Sequence, residues 1–407
     1  MRTRFSPWKS LRRRRIVLRS RVLQIVLISG VVAGVGVLAS LHTTAPARVV
    51  YLACAQSPQE MPLLYPAGTR LVRSAPSTLE PFADLELVSP PRVFYDGTRV
   101  IFSGRRIGED YAQVWEADAS GNLLGRRTNE PADCVTPDYL PDGRIVFTRL
   151  TEGSKQGTTE GVVFVLEPAG EVHRISFGNS LDLVDHILED GRVLIRRVTP
   201  EHPRGLQLAL RPDGTELERY LDSKPREEAA VRMPTATENL PSVGDSIALD
   251  KPGSYEVITV VPLGPRRRPP VATSVVNANM DHGWLLCLDV RQTDLKLDLA
   301  RAHSARIVGA ESGMLLAQTP IESDGSFFVQ VPSDKLFQVE ILDDRGEVLV
   351  RQGAGIWVRP NEHRGCIGCH EPRYLSPRNQ MPLALQKQSS DASAPQVISQ
   401  RLREGKE

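Results

Sequence analysis

Short runs of β-branched and other apolar residues, each introduced by an Asp-Gly turn, recur along the middle of the chain. The segments "YDGTRVIF" (Tyr95–Phe102), "LPDGRIVF" (Leu140–Phe147) and "LEDGRVLI" (Leu188–Ile195) share this layout, and their glycines are 46 and 48 residues apart. An Asp-Gly step favours a tight turn, and the apolar run after it predicts a β-strand. A second strand, turn and strand follow each run. A period in the forties with four short strands is typical of β-propeller blades.

The repeats predict a β-propeller of the TolB or WD40 type over residues 81–268, after a lead-in segment over residues 49–80. A weaker fourth copy runs from "SVGDSIAL" into "YEVITVVPLG" (Tyr255–Gly264). A β-sandwich that does not close, with chance similarity between its strands, is the alternative. The proline- and arginine-rich "GPRRRPPVA" (Gly264–Ala272) then predicts a linker at a domain boundary.

Alternating apolar and polar residues resume beyond this linker and predict a small antiparallel β-sandwich over residues 269–358. Its strands are indicated by "GWLLCLDV", "ARIVGA", "GSFFVQVP", "FQVEILDD" and "EVLVRQG". Aromatic residues make up 5% of the chain and prolines number 31, which suits a turn-rich β protein better than a helical bundle. The predicted fold class is mainly β, with the two β domains followed by a short C-terminal segment over residues 359–407.

Residues 1–48 are predicted to anchor the chain in a membrane. Nine basic residues and no acidic residue precede the uncharged run Val22–Leu41, whose 20 residues suffice for a transmembrane helix. A cleaved signal peptide is the alternative, although its apolar core is usually shorter, about 7–15 residues. The basic flank predicts a single-pass protein of the cytoplasmic membrane, with the bulk of the chain in the periplasm. The net charge of +1 gives no reason to expect nucleic acid as a partner.

The stretch "RGCIGCHEPR" near the end of the chain places Cys366 and Cys369 three residues apart, and His370 follows the second cysteine. Zinc would need two further ligands, normally a second close pair, and the other cysteines of the chain are isolated. A thioredoxin-like dithiol belongs in a βαβ unit, which the β-rich surroundings do not predict. Covalent haem c needs two thiols at this spacing and an adjacent histidine on the iron. We therefore predict one haem c on Cys366 and Cys369, with His370 as the proximal ligand.

The motif leaves the second iron ligand open. Met381 shares the haem-bearing segment and is the first choice, and His303 of the sandwich is the second. A vacant or water-filled sixth position is the third option. Methionine ligation raises the reduction potential relative to bis-histidine ligation, so the ligand bears on the choice of redox partner protein.

Several of these motifs together resemble the hydrazine synthase alpha subunit family. The resemblance covers roughly residues 81–386 and rests on the "DGRIVF" blades, "GWLLCLDV", "IESDGSFFVQVPSDKLFQVEILDDRGEVL", "WVRPNEHRGCIGCHEPR" and "MPLAL". That family combines a propeller-like middle domain with c-type haem, which implies thioether bonds at Cys366 and Cys369 and ligation by His370. The alpha subunit carries two c-type haems, whereas this chain has one Cys-x-x-Cys-His motif. The single motif looks like the C-terminal motif of the family, which is associated with electron transfer.

Three functions follow from these observations. We expect first a membrane-anchored, periplasm-facing monohaem c-type cytochrome that transfers electrons, with the propeller as a scaffold or docking platform for an unidentified redox partner. The alternative is a hydrazine-synthase-like haem enzyme acting on a small nitrogen species. A propeller adaptor with a structural or sensory haem is the third. Haem coordination separates the first two, because a filled sixth position blocks the entry of substrate.

Overall fold

The structure is a computed structural model, and it describes residues 48–54, 63–66, 68–73, 85–152, 159–220, 246–248, 254–293, 296–353, 355–369 and 379–390. All of these residues belong to one compact unit formed by Arg48–Arg232 and Asn239–Glu407. The predicted span Val22–Leu41 and the predicted ligand His370 lie outside the described residues. Within those ranges, no helix is long and apolar enough to cross a membrane.

The repeat region is built from short strands. In chain order, its described strands are β1 (Arg48–Cys54), β2 (Arg70–Arg73), β3 (Leu85–Val88), β4 (Arg92–Val93), β5 (Arg99–Arg106), β6 (Gln113–Asp118), β7 (Leu123–Arg126), β8 (Cys134–Tyr139), β9 (Ile145–Glu152), β10 (Thr159–Leu166), β11 (Val172–Arg174), β12 (Leu181–Ile187), β13 (Val193–Thr199), β14 (His202–Leu210), β15 (Glu218–Arg219), β16 (Ser246–Ala248) and β17 (Ser254–Leu263).

A smaller set of strands and one short helix follow. They are β18 (His282–Cys287), a 3-10 turn (Leu299–Arg301), β19 (Ser304–Gly309), β20 (Leu315–Pro320), β21 (Phe327–Pro332), β22 (Phe337–Leu342), β23 (Val348–Arg351), β24 (His363–Cys366) and the helix α1 (Leu383–Ser390).

Four blade-like units form the repeat region, as far as the described residues show. The first has the strand order β16-β17-β1-β2, and the second has β3-β5-β6-β7 with β4 beside β5. The third (β8 to β11) and the fourth (β12 to β15) are joined by one parallel contact, between Gly161 and Leu181. The prediction of a mainly β, propeller-like fold is confirmed in this form. The described sheets are open, and none of them closes on itself.

The Asp-Gly turns lie where the repeats predict them. Gly97, Gly143 and Gly191 have φ values of 76°, 94° and 88°, which glycine adopts without the steric penalty of a side chain. In the second repeat, the Gly143 N–H donates to the Leu140 carbonyl at 3.0 Å, and β9 begins two residues later. The β5 and β13 strands start at the same offset from their turns. The prediction of a tight turn followed by a strand is therefore confirmed in all three repeats.

Apolar side chains from successive units pack against one another and form the core of the repeat region. Leu52 of the first unit and Phe102 of the second share one cluster, and a further cluster joins the second and third units. A third cluster joins the third and fourth units and also contains Trp357, which comes from beyond the repeats. Each fully buried large apolar side chain stabilises the fold by about 1.5–3 kcal/mol, so these clusters hold the units together.

The region after residue 281 is a two-sheet sandwich. One sheet has the order β21-β18-β24 and the other has β20-β19-β22-β23. Their inner faces meet in one core, which includes Leu285, Phe327 and Phe337. The pairs are antiparallel except for β24, which runs parallel to β18. The cysteine motif therefore begins inside a sheet of the sandwich and not in a separate tail.

The predicted linker runs as an extended segment over residues 264–277 without strand structure. It lies across the turns of the repeats. Arg266 donates its N–H to the Tyr95 carbonyl at 2.9 Å and its guanidinium lies 4.1 Å from the Tyr95 ring centroid. Farther along, the Thr273 carbonyl accepts a hydrogen bond from Arg211 at 2.6 Å. At Gly97 a Cβ atom would come within 2.7 Å of the Gly264 backbone, so this close crossing requires glycine.

Candidate functional site

The two motif cysteines lie at the end of an edge strand and just beyond it. The parallel register between β18 and β24 places Trp284 beside His363 and Cys287 beside Cys366. The pairing continues past the strand, because Leu288 donates its N–H to the Cys366 carbonyl at 2.9 Å. The β24 sequence "HRGC" contains no β-branched or large aromatic residue, so its strand conformation depends on β18 and not on its own propensity.

The turn that carries Cys369 is held by the loop that follows β18. Cys369 donates its N–H to the Gln292 carbonyl at 2.9 Å, and Asp289 donates its N–H to the Ile367 carbonyl at 3.1 Å. Gly368 packs against the same Gln292 carbonyl, which an added Cβ atom would overlap. The glycine between the cysteines is thus required by close backbone contact.

Side chains along β24 alternate between two faces. Cys366 is half-buried and packs against the sandwich core, in which Cys287 is buried. His363 and Gly365 lie on the exposed face, and nothing lies within 4 Å of the Cβ position of Gly365. The Cys366 thiol thus borders an apolar core, while both motif cysteines stay partly accessible.

Two histidines and a tryptophan stack on the exposed face of the same sheet. The Trp284 and His363 rings are stacked with centroids 4.3 Å apart, and the His282 ring meets the Trp284 ring edge-on at 4.8 Å. This contact fixes the His363 imidazole on the face of β24 opposite to Cys366. Although His363 is three residues from Cys366, the two side chains therefore point to different sides of the sheet.

The segment just before β24 contains two large buried side chains. Trp357 is fully buried among repeat residues, and its Nε1–H donates to the Gly214 carbonyl at 2.9 Å. Glu362 is 3% exposed and accepts hydrogen bonds from the backbone N–H groups of Glu216 (2.8 Å) and Arg359 (2.7 Å). Burial raises the pKa of the Glu362 carboxyl above its ordinary value, and these two donors oppose the rise.

These buried residues carry no signal that single-sequence reasoning recognises. Glutamate is almost never fully buried unless it is paired, so Glu362 would be assigned to the surface. Its partners are the backbone N–H groups of Glu216 and Arg359. Because nearly every residue type has such a group, the sequence does not reveal these partners. The one available clue is position, because Trp357 and Glu362 immediately precede the cysteine motif.

The two predicted distal ligands lie on different elements. Met381 is 61% exposed and lies two residues before α1. His303 is also exposed and stands directly before β19, which belongs to the other sheet of the sandwich from Cys366. Iron ligation by Met381 or by His303 stays a prediction, as does ligation by His370.

Asp324 holds α1 on the turn between β20 and β21. Its Oδ2 accepts the Leu383 N–H at 2.8 Å, and Lys387 of α1 forms an ion pair with Glu322 of the same turn. Burial disfavours the charged carboxylate, but hydrogen bonds from Leu383 and Ser326 outweigh it and hold the pKa of Asp324 below its ordinary value of 3.8. This stabilising contribution is present at neutral pH and is lost as the pH falls through the lowered pKa.

The cysteine motif fits thioether attachment of a haem. Its two thiols are partly accessible, one at the margin of an apolar core that a porphyrin edge can cover. Cys134 differs, because burial in the repeat core raises its pKa to about 12 and keeps it an unreactive thiol. Among the residues that the structure describes, no group of three or more His, Cys, Asp or Glu side chains is placed to hold a metal ion.

Comparisons with known proteins point to one family. Residues 290–371 match the family model described as the hydrazine synthase alpha subunit middle domain. The fold is similar to hydrazine synthase of Kuenenia stuttgartiensis, with a TM-score of 0.65 at 13% identity over 84% of this chain and 72% of that chain. TolB from Acinetobacter baumannii aligns with a TM-score of 0.30 at 12% identity over 75% and 66% of the two chains, too low to carry an argument. No curated protein sequence matches the chain.

These matches correct one prediction. The first functional hypothesis, a membrane-anchored electron-transfer cytochrome, is wrong, because the family match supports the enzymatic alternative. Cys366, Cys369 and His370 fall inside the region matched to the middle domain, and their roles in haem binding stay predictions. The predicted periplasmic location and redox partner stay predictions.

Proposed function

We propose that this chain is a haem-dependent enzyme acting on a small nitrogen species, because residues 290–371 match the hydrazine synthase alpha subunit middle domain and the fold is similar to hydrazine synthase. The observation that carries the proposal is the position of the cysteine motif. It lies within the matched region, at the end of a strand whose backbone is fixed on both sides of Cys366.

Cys366 and Cys369 would hold the haem through thioether bonds, and His370 would be the proximal iron ligand. When bound, the haem supplies an iron that coordinates a small nitrogen molecule and exchanges electrons with it. The protein's part is to orient the group and to shape its surroundings. The Cys369 N–H to Gln292 contact and the Gly368 packing contact orient the turn between the two thioether sites.

The sandwich core supports the proposed attachment site from one side. Cys366 packs on the cluster that contains Leu285 and Val290, so the haem edge near this thiol would lie against apolar side chains. An apolar, water-poor neighbourhood strengthens electrostatic interactions with a charged or dipolar substrate.

Replacing Cys366 and Cys369 together by alanine is expected to abolish covalent haem attachment. Wild-type protein, produced with a haem-attachment system and then denatured, should keep a haem-stained band on a gel, because thioether bonds survive denaturation. The variant should lose that band and the added mass of one haem. Cys134→Ala is the matched control, since it removes a buried thiol of the repeat core and should keep the full haem signal.

A band that survives in the double variant would contradict the proposal, because no other described cysteine pair has this spacing. Loss of the band in Cys134→Ala as well would indicate a general folding defect. The double variant must therefore also show the wild-type circular dichroism spectrum.

A further inference from the structure

Three side chains from the segment before the motif reach the same turn of the repeat region. The turn spans residues 213–217 and joins β14 to β15 of the fourth unit. Trp357 donates to the Gly214 carbonyl, and Glu362 accepts the Glu216 N–H. Arg364, two residues before Cys366, donates to the Leu217 carbonyl. Three backbone groups of this turn are thus each hydrogen-bonded by a different side chain of one short segment.

Trp357 and Glu362 are buried, and Arg364 is half-buried. Glu362 is 3% exposed, and its two backbone bonds at 2.8 Å and 2.7 Å are charge-assisted when it is ionised. Arg364 also donates to the Trp357 carbonyl at 3.3 Å, which ties the first anchor to the last. Hydrogen bonds to charged groups are stronger than those between neutral groups, so the contact is specific and costly to break.

Pairing with β18 alone does not hold both edges of β24 in place. β24 has four residues and pairs with β18 on one side, at the edge of its sheet. Pairing along one side sets the register of a short strand, but it leaves the other edge free to tilt or fray. The turn at residues 213–217 supplies the second support. It binds Glu362 and Arg364, which lie four and two residues before Cys366.

We propose that the turn at residues 213–217 positions the haem-attachment site, with Glu362 and Arg364 as its positioning residues. This inference rests on the proposed function for the role of the cysteines. In this arrangement the repeat region helps to set the position of the haem-attachment site. A shift of its fourth unit is transmitted to Cys366 and Cys369 through three hydrogen-bonded side chains.

The first test uses haem-free protein, produced without a haem-attachment system. Glu362→Gln replaces one acceptor oxygen by an NH2 group that faces a backbone N–H. Arg364→Lys keeps the charge but lacks the planar guanidinium, whose two terminal nitrogens donate to separate carbonyls. The rate of maleimide labelling at Cys366 and Cys369, resolved by peptide mass spectrometry, should rise about tenfold in each variant. A tenfold change corresponds to about 1.4 kcal/mol in local opening, within the value of one such bond.

The matched control is Glu340→Gln. Glu340 is 1% exposed and is held by Arg306 and Arg351 in the other sheet of the same sandwich, away from the motif strand. Its replacement should lower stability without changing the labelling rates. Wild-type rates in both Glu362→Gln and Arg364→Lys would overturn the inference, and so would an equal rise in Glu340→Gln.

The second test uses haem-loaded protein. Glu362→Gln and Arg364→Lys should keep the covalent haem band but shift the electron paramagnetic resonance signal or the Soret band, because the attachment strand is tilted. A purely structural role would leave the spectrum unchanged. If wild-type protein takes up no haem, the proposed function fails, while the labelling test still decides whether the turn positions the two cysteines.

Discussion

Replacing Trp357 by alanine is expected to lower the free energy of unfolding by about 3–5 kcal/mol, the range for removing a large buried aromatic side chain. Trp357 is fully buried in the cluster shared by the third and fourth units, and its ring meets Phe177 edge-on at 5.7 Å. The Gly214 carbonyl also loses the indole N–H as its donor. Urea unfolding followed by circular dichroism measures the change.

Two further variants separate the contributions to this loss. Trp357→Phe keeps an aromatic ring but removes the hydrogen bond, so we expect a smaller loss of about 1–2 kcal/mol. Trp284→Ala is the control from the same sandwich, because Trp284 is only half-buried. An equal denaturant midpoint for Trp357→Ala and Trp284→Ala would show that the buried tryptophan does not join the motif segment to the repeats.

Replacing Asp182 by alanine is expected to cost about 3–5 kcal/mol, because it leaves the Arg197 guanidinium buried without its counter-ion. The two side chains form paired hydrogen bonds of 2.7 Å and 2.9 Å, and both residues are buried. Burial disfavours the charged guanidinium, but the Asp182 carboxylate outweighs it and holds the pKa of Arg197 above its ordinary value. Because arginine is not deprotonated in proteins, the guanidinium stays charged in the variant. Thermal and urea unfolding of the variant measure the loss.

The double replacement Asp182→Leu with Arg197→Met tests the cause. Removing both charges should recover most of the stability, since an apolar pair of similar volume is often as stable as a buried ion pair. Glu109→Ala breaks the half-exposed ion pair with Arg126 and should cost less than about 1 kcal/mol. If Asp182→Ala also lowered the free energy of unfolding by less than about 1 kcal/mol, the variant would not contain a buried charge without a counter-ion.

Local signals predicted the repeat strands well. The Asp-Gly turns at Gly97, Gly143 and Gly191 need a left-handed backbone that glycine supplies, and the β-branched runs after them form β5, β9 and β13. Turn chemistry and side-chain alternation depend on residues that are neighbours in the chain, so they can be recognised in a single sequence. The same holds for the sandwich strands, whose buried and half-buried positions alternate along β18 and β21.

Long-range pairing was not predictable from such signals. β1 pairs with β17, although about 200 residues separate them, and so the lead-in region and the weak fourth repeat form one sheet. β24 is another example, because "HRGC" has weak strand propensity and becomes a strand only beside β18. Contacts of this kind depend on which surfaces remain unpaired after the local elements have formed.

The cysteine motif shows how one chemical prediction is compatible with two different functions. Its spacing predicts Cys366 and Cys369 as the site for a prosthetic group, since the chemistry needs two thiols and a histidine in a fixed order. Spacing does not say whether such a group transfers electrons or binds substrate. That depends on the access to the iron, which the surrounding fold and not the motif determines. The match of residues 290–371 supplied the context that the motif lacks.

Ligand binding to the reduced, purified haem protein tests the central claim most directly. A haem that acts on a small nitrogen species must have a position on its iron that such a molecule can reach. We expect the wild-type protein to show a high-spin spectrum, to bind CO and NO with a shift of the Soret band, and to change its ferric spectrum when hydrazine is added. A low-spin, six-coordinate haem whose spectrum is unchanged by CO, NO and hydrazine would contradict the proposed enzymatic function.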